Sequence, residues 1–213
     1  MTLPGPAIAA RQVGPATFRL VDVSFDIMMA AGWSTADNAE LSALEAGGHD
    51  PNQRGFTLQQ GELSLAGAVD PYFNGEAYIV FQPEGVELEE AFATTQALPW
   101  GLQVKAGQYL TAFGRINQQH PHQWDWLDVP VINSRLFGAD GLRNPGSQVG
   151  WLMPVPWFSQ LIVGAQNATG ETAYSFLGSP GEGDGLAGRP LVDDNVGSLA
   201  DLLYLTRWEN GLA

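Results

Sequence analysis

The sequence predicts an all-β protein built as one antiparallel up-and-down sheet of about eight strands, and three observations carry that reading. Apolar residues alternate with polar or small ones: Leu63, Leu65, Gly67 and Val69 interleave with Glu62, Ser64, Ala66 and Ala68. That period of two marks a strand with two unlike faces. Successive segments between Arg54 and Gln108 are joined by Asp70-Pro71, Gln82-Pro83-Glu84-Gly85 and Leu98-Pro99-Trp100-Gly101. These joints are too short for a crossover helix, so neighbouring strands pair as antiparallel hairpins. The remaining connections fall into two sharply different lengths, which orients the sheet.

Taken in order, residues 1–17 are rich in proline, glycine and alanine and read as an irregular lead-in. From Phe18 to Met29, Val21, Val23, Phe25, Ile27 and Met29 alternate with Asp22, Ser24 and Asp26, giving the first strand. A long connection, 30–53, has room for a short helix capped by Ser34 or Thr35 and ended by Gly47-Gly48. The meander of four strands follows: a first through Val69, then Tyr72 to Phe81, Val86 to Ala97 and Leu102 to Leu110. After a second long connection, 111–146, Ser147–Met153 and Trp157–Gln166 form a hairpin over Pro154-Val155-Pro156. A third, 167–197, leads to a last strand over Leu202–Asn210.

In an up-and-down sheet alternate connections share an edge. All three long loops therefore leave one edge, and every tight turn but the one at residues 82–85 leaves the other. Outer-membrane barrels have this asymmetry, and their strands need about 9–11 residues to cross a bilayer at a tilt. Tyr72, Phe73, Trp100, Tyr109, Trp151, Trp157 and Phe158 gather at strand ends, as interfacial girdles do. The expected class is thus a transmembrane β-barrel over 18–213, with a soluble all-β binding domain carrying acidic loops as the alternative.

Composition narrows the partners. Only 15% of the 213 residues are charged, and the net charge of −14 leaves no basic footprint for nucleic acid. Cations or neutral solutes fit better. Cysteine is absent, which removes disulfides, thiolate metal sites and cysteine nucleophiles. No Walker loop, Rossmann fingerprint or nucleophile elbow occurs, so the chain is not expected to be an enzyme.

Four phrases add a resemblance: His49-Asp50-Pro51-Asn52-Gln53-Arg54-Gly55-Phe56-Thr57-Leu58-Gln59-Gln60, Val69-Asp70-Pro71-Tyr72-Phe73, Val86-Glu87-Leu88-Glu89-Glu90-Ala91-Phe92, and Phe113-Gly114-Arg115-Ile116-Asn117 to His120-Pro121-His122. They resemble a family of bacterial outer-membrane porin-like proteins, some of them described as zinc-regulated TonB-dependent outer membrane receptors. The family is similar, more distantly, to phosphate-selective porins. The resemblance implies an outer-membrane location in contact with lipid, passage or uptake of small solutes, and a TonB system if a plug domain lies elsewhere; a homo-oligomer and a monomer both stay open. It covers approximately 50–210 and matches the amino-terminal portion of longer proteins, so these strands are expected to be part of a larger barrel. With nine basic against 23 acidic residues, phosphate is a poor fit as cargo.

Three groups of candidate residues follow. The loop 111–146 is expected to fold into the lumen, where Arg115, Arg135 and Arg143 facing Asp125 and Asp128 set a transverse field at a constriction; ion pairs that only hold the loop to the wall are the competing account. Glu87 and Glu89 read as wetted lumen wall, on one face with Ala91, and Lys105 as the chain's single lysine there. His120, His122 and Asp125 are the most ligand-like cluster, with zinc as the ion that imidazole and carboxylate suit; packing or hydrogen bonding within the loop is the alternative.

Overall fold

The computed structural model describes residues 10–13, 16–19, 21–44, 53–83, 85–137, 140–168 and 196–211. Two short strands, β1 (Ala10–Val13) and β2 (Ala16–Arg19), pair with each other. They lie partly within the segment expected to be irregular, because four-residue strands are too short for alternation to register. The main sheet contains β3 (Asp22–Gly32), β4 (Gly55–Ala68), β5 (Phe73–Gln82), β6 (Gly85–Thr95), β7 (Leu102–Leu110), β8 (Arg143–Leu152), β9 (Phe158–Asn167) and β10 (Leu202–Gly211). These eight strands follow one another in sequence order, each antiparallel to the next. Barrel closure would need β3 to pair with β10; among the described residues each has a single neighbour in the sheet, so the sheet is open.

Local chemistry explains the joints. Asp70 Oδ1 accepts the amides of Tyr72 (2.7 Å) and Phe73 (2.9 Å), which turns the chain between β4 and β5. Trp100 and Gly101 take positive φ angles of 61° and 72° in the tight turn between β6 and β7. Helix α1 (Asn38–Leu44) is capped by Asp37 rather than by Ser34 or Thr35. The Asp37 carboxylate accepts the Glu40 amide while Glu40 accepts the Asp37 amide, a reciprocal cap that two hydroxyl residues further upstream cannot reach. The segment 167–197 lies mostly outside the described residues.

The two faces of the sheet are inverted relative to a water-soluble domain. Phe25 (56%), Ile27 (61%), Met29 (62%), Val86 (67%) and Trp208 (66%) are exposed, as are Leu58, Leu88, Val149 and Val163 on the same face. Buried polar side chains, by contrast, outnumber buried apolar ones among the described residues, and they include Gln60, Glu62, Glu89, Glu90 and Gln166. Two bulges keep this segregation in step. Met28 opposes Gln60 and Met29 opposes Leu58, leaving Gln59 extra; Tyr78 opposes Glu90 and Ile79 opposes Leu88, leaving Glu89 extra. Without them every apolar side chain beyond would change face.

The second bulge corrects an expectation. Glu87 lies opposite Val80 and Glu90 opposite Tyr78, so Glu87 and Glu90 share the covered face, and Ala91 falls on the other. Tyr109 also departs from the expected girdle: it is 1% exposed and meets Phe92 edge-on at 6.5 Å, because it shares the parity of Lys105 and Gly107. The other girdle aromatics, Tyr72, Phe73, Trp100, Trp151, Trp157 and Phe158, are exposed near the tight-turn edge.

Gly107 has φ of 137° and lies against β6 so closely that a Cβ would overlap the Ala91 carbonyl oxygen. Replacing it with alanine is expected to lower the unfolding free energy by about 2 kcal/mol or more, since strained φ and overlap add. Denaturant unfolding of Gly107→Ala beside the parent checks this; equal midpoints would refute it.

Candidate functional site

The connection 111–142 folds back onto the covered face and is fastened at three places. At its base the Thr111 amide donates to the Leu142 carbonyl (2.9 Å). Asn117 closes the same neck: its Nδ2 donates to the carbonyls of Thr111 (2.8 Å) and Leu142 (2.9 Å), and its Oδ1 accepts the Leu142 amide (2.7 Å). Toward β10, Arg207 Nη1 donates to the carbonyl oxygens of Ala112 (3.1 Å) and Gly114, while Nη2 pairs with Glu209. Toward β4–β6 the fastening is ionic.

That third fastening centres on His120, 5% exposed at the start of a short 3-10 turn, Pro121–Gln123. Its Nδ1 lies 3.2 Å from Glu62 Oε2 and 3.0 Å from Glu89 Oε2, and its Nε2 lies 2.9 Å from Glu90 Oε2. The His122 ring stacks 5.7 Å from that of His120, with Nδ1 at 3.4 Å from the same oxygen of Glu62. Tyr78 covers the other side, its ring centroid 4.5 Å from the imidazole. Burial by itself would push the His120 pKa down. The three carboxylates around the ring, Glu62, Glu89 and Glu90, outweigh it and hold the imidazole protonated, its pKa pushed up to about 12.

The sheet makes room for this cluster by ending a ladder early. β6 and β7 are paired from Ala91 to Thr94 and no further toward Gly85. Beyond that point side chains replace backbone partners: Glu90 Oε1 accepts the Leu110 amide (2.6 Å), and Gln108 Nε2 donates to the carbonyls of Leu88 (2.8 Å) and Glu89 (3.0 Å). Arg143, buried at the start of β8, pairs with Glu87 and lies 3.9 Å from Glu89 Oε1. Each of the buried carboxylates, Glu62, Glu89 and Glu90, is thereby held by more than one contact, which buried charge requires.

Of the residues singled out for the loop, Arg143 is brought to the cluster, whereas Arg115 and Asp125 are exposed. Asp128 is half-buried and accepts the Val129 amide (2.7 Å). Arg135 lies in a second short helix, α2 (Val131–Phe137), whose side-chain placement at that position is outside the described residues. Lys105 lies over the rings of Phe92 (3.8 Å) and Tyr109 (5.5 Å). The expected metal trio of His120, His122 and Asp125 needs correction. Among the described residues, the group whose ligand atoms lie within 4.8 Å of one another is Glu62, Glu89 and His120; His122 meets it at Glu62, and Asp125, beyond the 3-10 turn, is exposed to solvent. Glu62 was missed by sequence reasoning; its one signal was a carboxylate on the small-residue side of β4, beside Ser64 and Ala66.

Replacing His120 with alanine would leave three buried carboxylates without the cation between them. Such a change costs about 3–5 kcal/mol, and the loop should become the first region cut in limited proteolysis. Unfolding and cleavage indistinguishable from the parent would contradict the clamp.

No family model matches the chain, and no solved structure matches it. A protein of Aquifex aeolicus (strain VF5), described as an uncharacterized protein, is 38% identical over 182 residues. The match spans 79% of this chain and 38% of that relative, so the chain corresponds to less than half of the longer protein's length.

Proposed function

We propose that this chain is the constriction-bearing part of a bacterial outer-membrane β-barrel that passes or takes up small solutes, cations in preference to anions, without chemical catalysis. The observation that carries this reading is the inverted sheet: a continuous apolar face is exposed and an ionic face is covered. Water-soluble monomers rarely expose contiguous apolar patches beyond a few hundred Å², whereas a barrel wall facing lipid consists of one. The exposed aromatics along the tight-turn edge fit an interfacial girdle. The loop 111–142, tied across β4–β6 on one side and β10 on the other, has the form of a constriction loop, with acidic residues beside it.

On this reading the open edges of β3 and β10 continue into further strands of a larger barrel, since unpaired edges in a membrane are costly. Homo-oligomerisation, and coupling to a TonB system where a plug domain accompanies the barrel, belong to the same proposal. The rival reading is a soluble all-β binding domain with acidic loops, which would keep the apolar face in water or cover it with a partner.

Val149, 44% exposed between Val104 and Val163 of neighbouring strands, separates the two. Val149→Arg should cost about 2–4 kcal/mol in a bilayer if the side chain faces lipid near the midplane, against roughly 0.5 kcal/mol or less on a wetted surface. Unfolding from lipid vesicles against unfolding in buffer reads the difference. Planar-bilayer recordings on the protein in the full length its gene encodes should show cation-selective reversal potentials; anion selectivity would reject the charge argument.

A further inference from the structure

We infer that Glu62, Glu89, His120 and His122 form a binding site for a divalent transition ion, zinc being the best match, which staples the loop 111–142 to strands β4 and β6. The inference stands apart from the membrane reading, since it concerns only the covered face.

The spacing of the ligand atoms is the first argument. Four ligands about 2.0–2.2 Å from a tetrahedral zinc ion lie about 3.3–3.6 Å from one another by simple geometry. His120 Nδ1 is 3.0 Å from Glu89 Oε2 and 3.2 Å from Glu62 Oε2, and His122 Nδ1 is 3.4 Å from Glu62 Oε2. The ligand atoms of Glu62, Glu89 and His120 all lie within 4.8 Å of one another, so small side-chain shifts bring these three onto one ion; His122 lies outside that group and approaches it at Glu62, from where its ring has to turn in as the fourth ligand. Imidazole and carboxylate donors without thiolate suit zinc among the borderline ions.

The second argument is an orphaned atom. Glu89 is 7% exposed, and its Oε2, shielded from solvent, faces His120 Nδ1 at 3.0 Å as an ion pair yet receives no hydrogen bond. The neighbouring Nδ1–H is directed at Glu62 instead. A buried carboxylate oxygen without a donor is costly and rare, and this one points into the ligand group. A cation there would satisfy it.

The outer contacts match what ligating groups require. His120 Nε2–H donates to Glu90 Oε2 at 2.9 Å, which leaves Nδ1 as the metal-facing nitrogen and orients the ring. Ser64 Oγ donates to Glu62 Oε1 at 3.0 Å and Arg143 flanks Glu89 Oε1, so each carboxylate keeps one oxygen engaged and turns the other to the site. On binding, the Nδ1 proton leaves to solvent and the dication takes its place between Glu62 and Glu89. A small, largely apolar pocket lined by Leu110, Ile116, Pro121, Trp124 and Val129 reaches Glu89 from the side of the loop.

The test is calorimetric titration of zinc into the chelator-treated full chain, repeated with cobalt(II), whose visible absorption reports tetrahedral coordination. One ion per chain is expected, with slower protease cleavage of the loop when zinc is bound. Glu89→Gln and His122→Asn should each weaken binding about 10- to 100-fold or more, and Glu90→Gln by a comparable factor through the ring it orients. Asp125→Asn, outside the group, should leave affinity unchanged. His122 is at the rim, with its side chain 27% exposed, so its variant reports on the site even if a buried substitution impairs folding. Absence of stoichiometric binding, or affinity unaltered in both Glu89→Gln and His122→Asn, would overturn the assignment.

Discussion

The segregation of side chains across one sheet is the constraint from which the remainder of the structure follows. With the hydrocarbon on the exposed face, the covered face is left with Gln60, Glu62, Glu90 and Gln166, none of which can be buried without partners. Little apolar packing is available there: Phe137 and Leu142 form a small cluster with Ala168 and Leu203 under the loop. The chain meets the need with the loop itself, which supplies amides, carbonyls, an imidazole and its own neck of hydrogen bonds.

The bulges show how a regular ladder accommodates an irregular demand. A strand that keeps strict alternation can present Glu87 and Glu89 to one face, but not Glu90 with them. The extra residue in β6 lets Glu87, Glu89 and Glu90 all reach Arg143 or His120, while Leu88 and Val86 stay opposite Ile79 and Phe81 on the exposed face. The cost is a ladder between β6 and β7 cut short, and Glu90 and Gln108 make good part of that loss through their side chains. Gly146 serves a similar end, since a Cβ there would occupy the space of the Gln166 side chain that bonds the Tyr109 and Asn144 carbonyls.

Ion clusters of this kind are poor sources of net stability, because desolvation offsets most of the attraction. What they provide is position. His120 joins strands β4 and β6 to the loop, and Arg207 joins β10 to it, so the loop has one path across the sheet rather than several. On the proposed reading that path defines the aperture, and the same carboxylates that hold it give the aperture its negative character.

The strands and their order were legible in the residues alone. Period-two alternation is a local property, and Asp70-Pro71, Pro99-Trp100-Gly101 and Pro154-Val155-Pro156 mark turns without reference to anything distant. The eight-stranded antiparallel order follows from those two signals, as does the placement of long connections on one edge. The meeting of Glu62, Glu89 and His120 was not legible, since His120 and Glu62 are 58 positions apart and the loop's course depends on contacts with β4, β6 and β10 together. Nearness in the chain pointed to Asp125 and missed Glu62. Which carboxylate reaches an imidazole is decided by bulges and loop path, and both are set by packing between segments that no local period encodes.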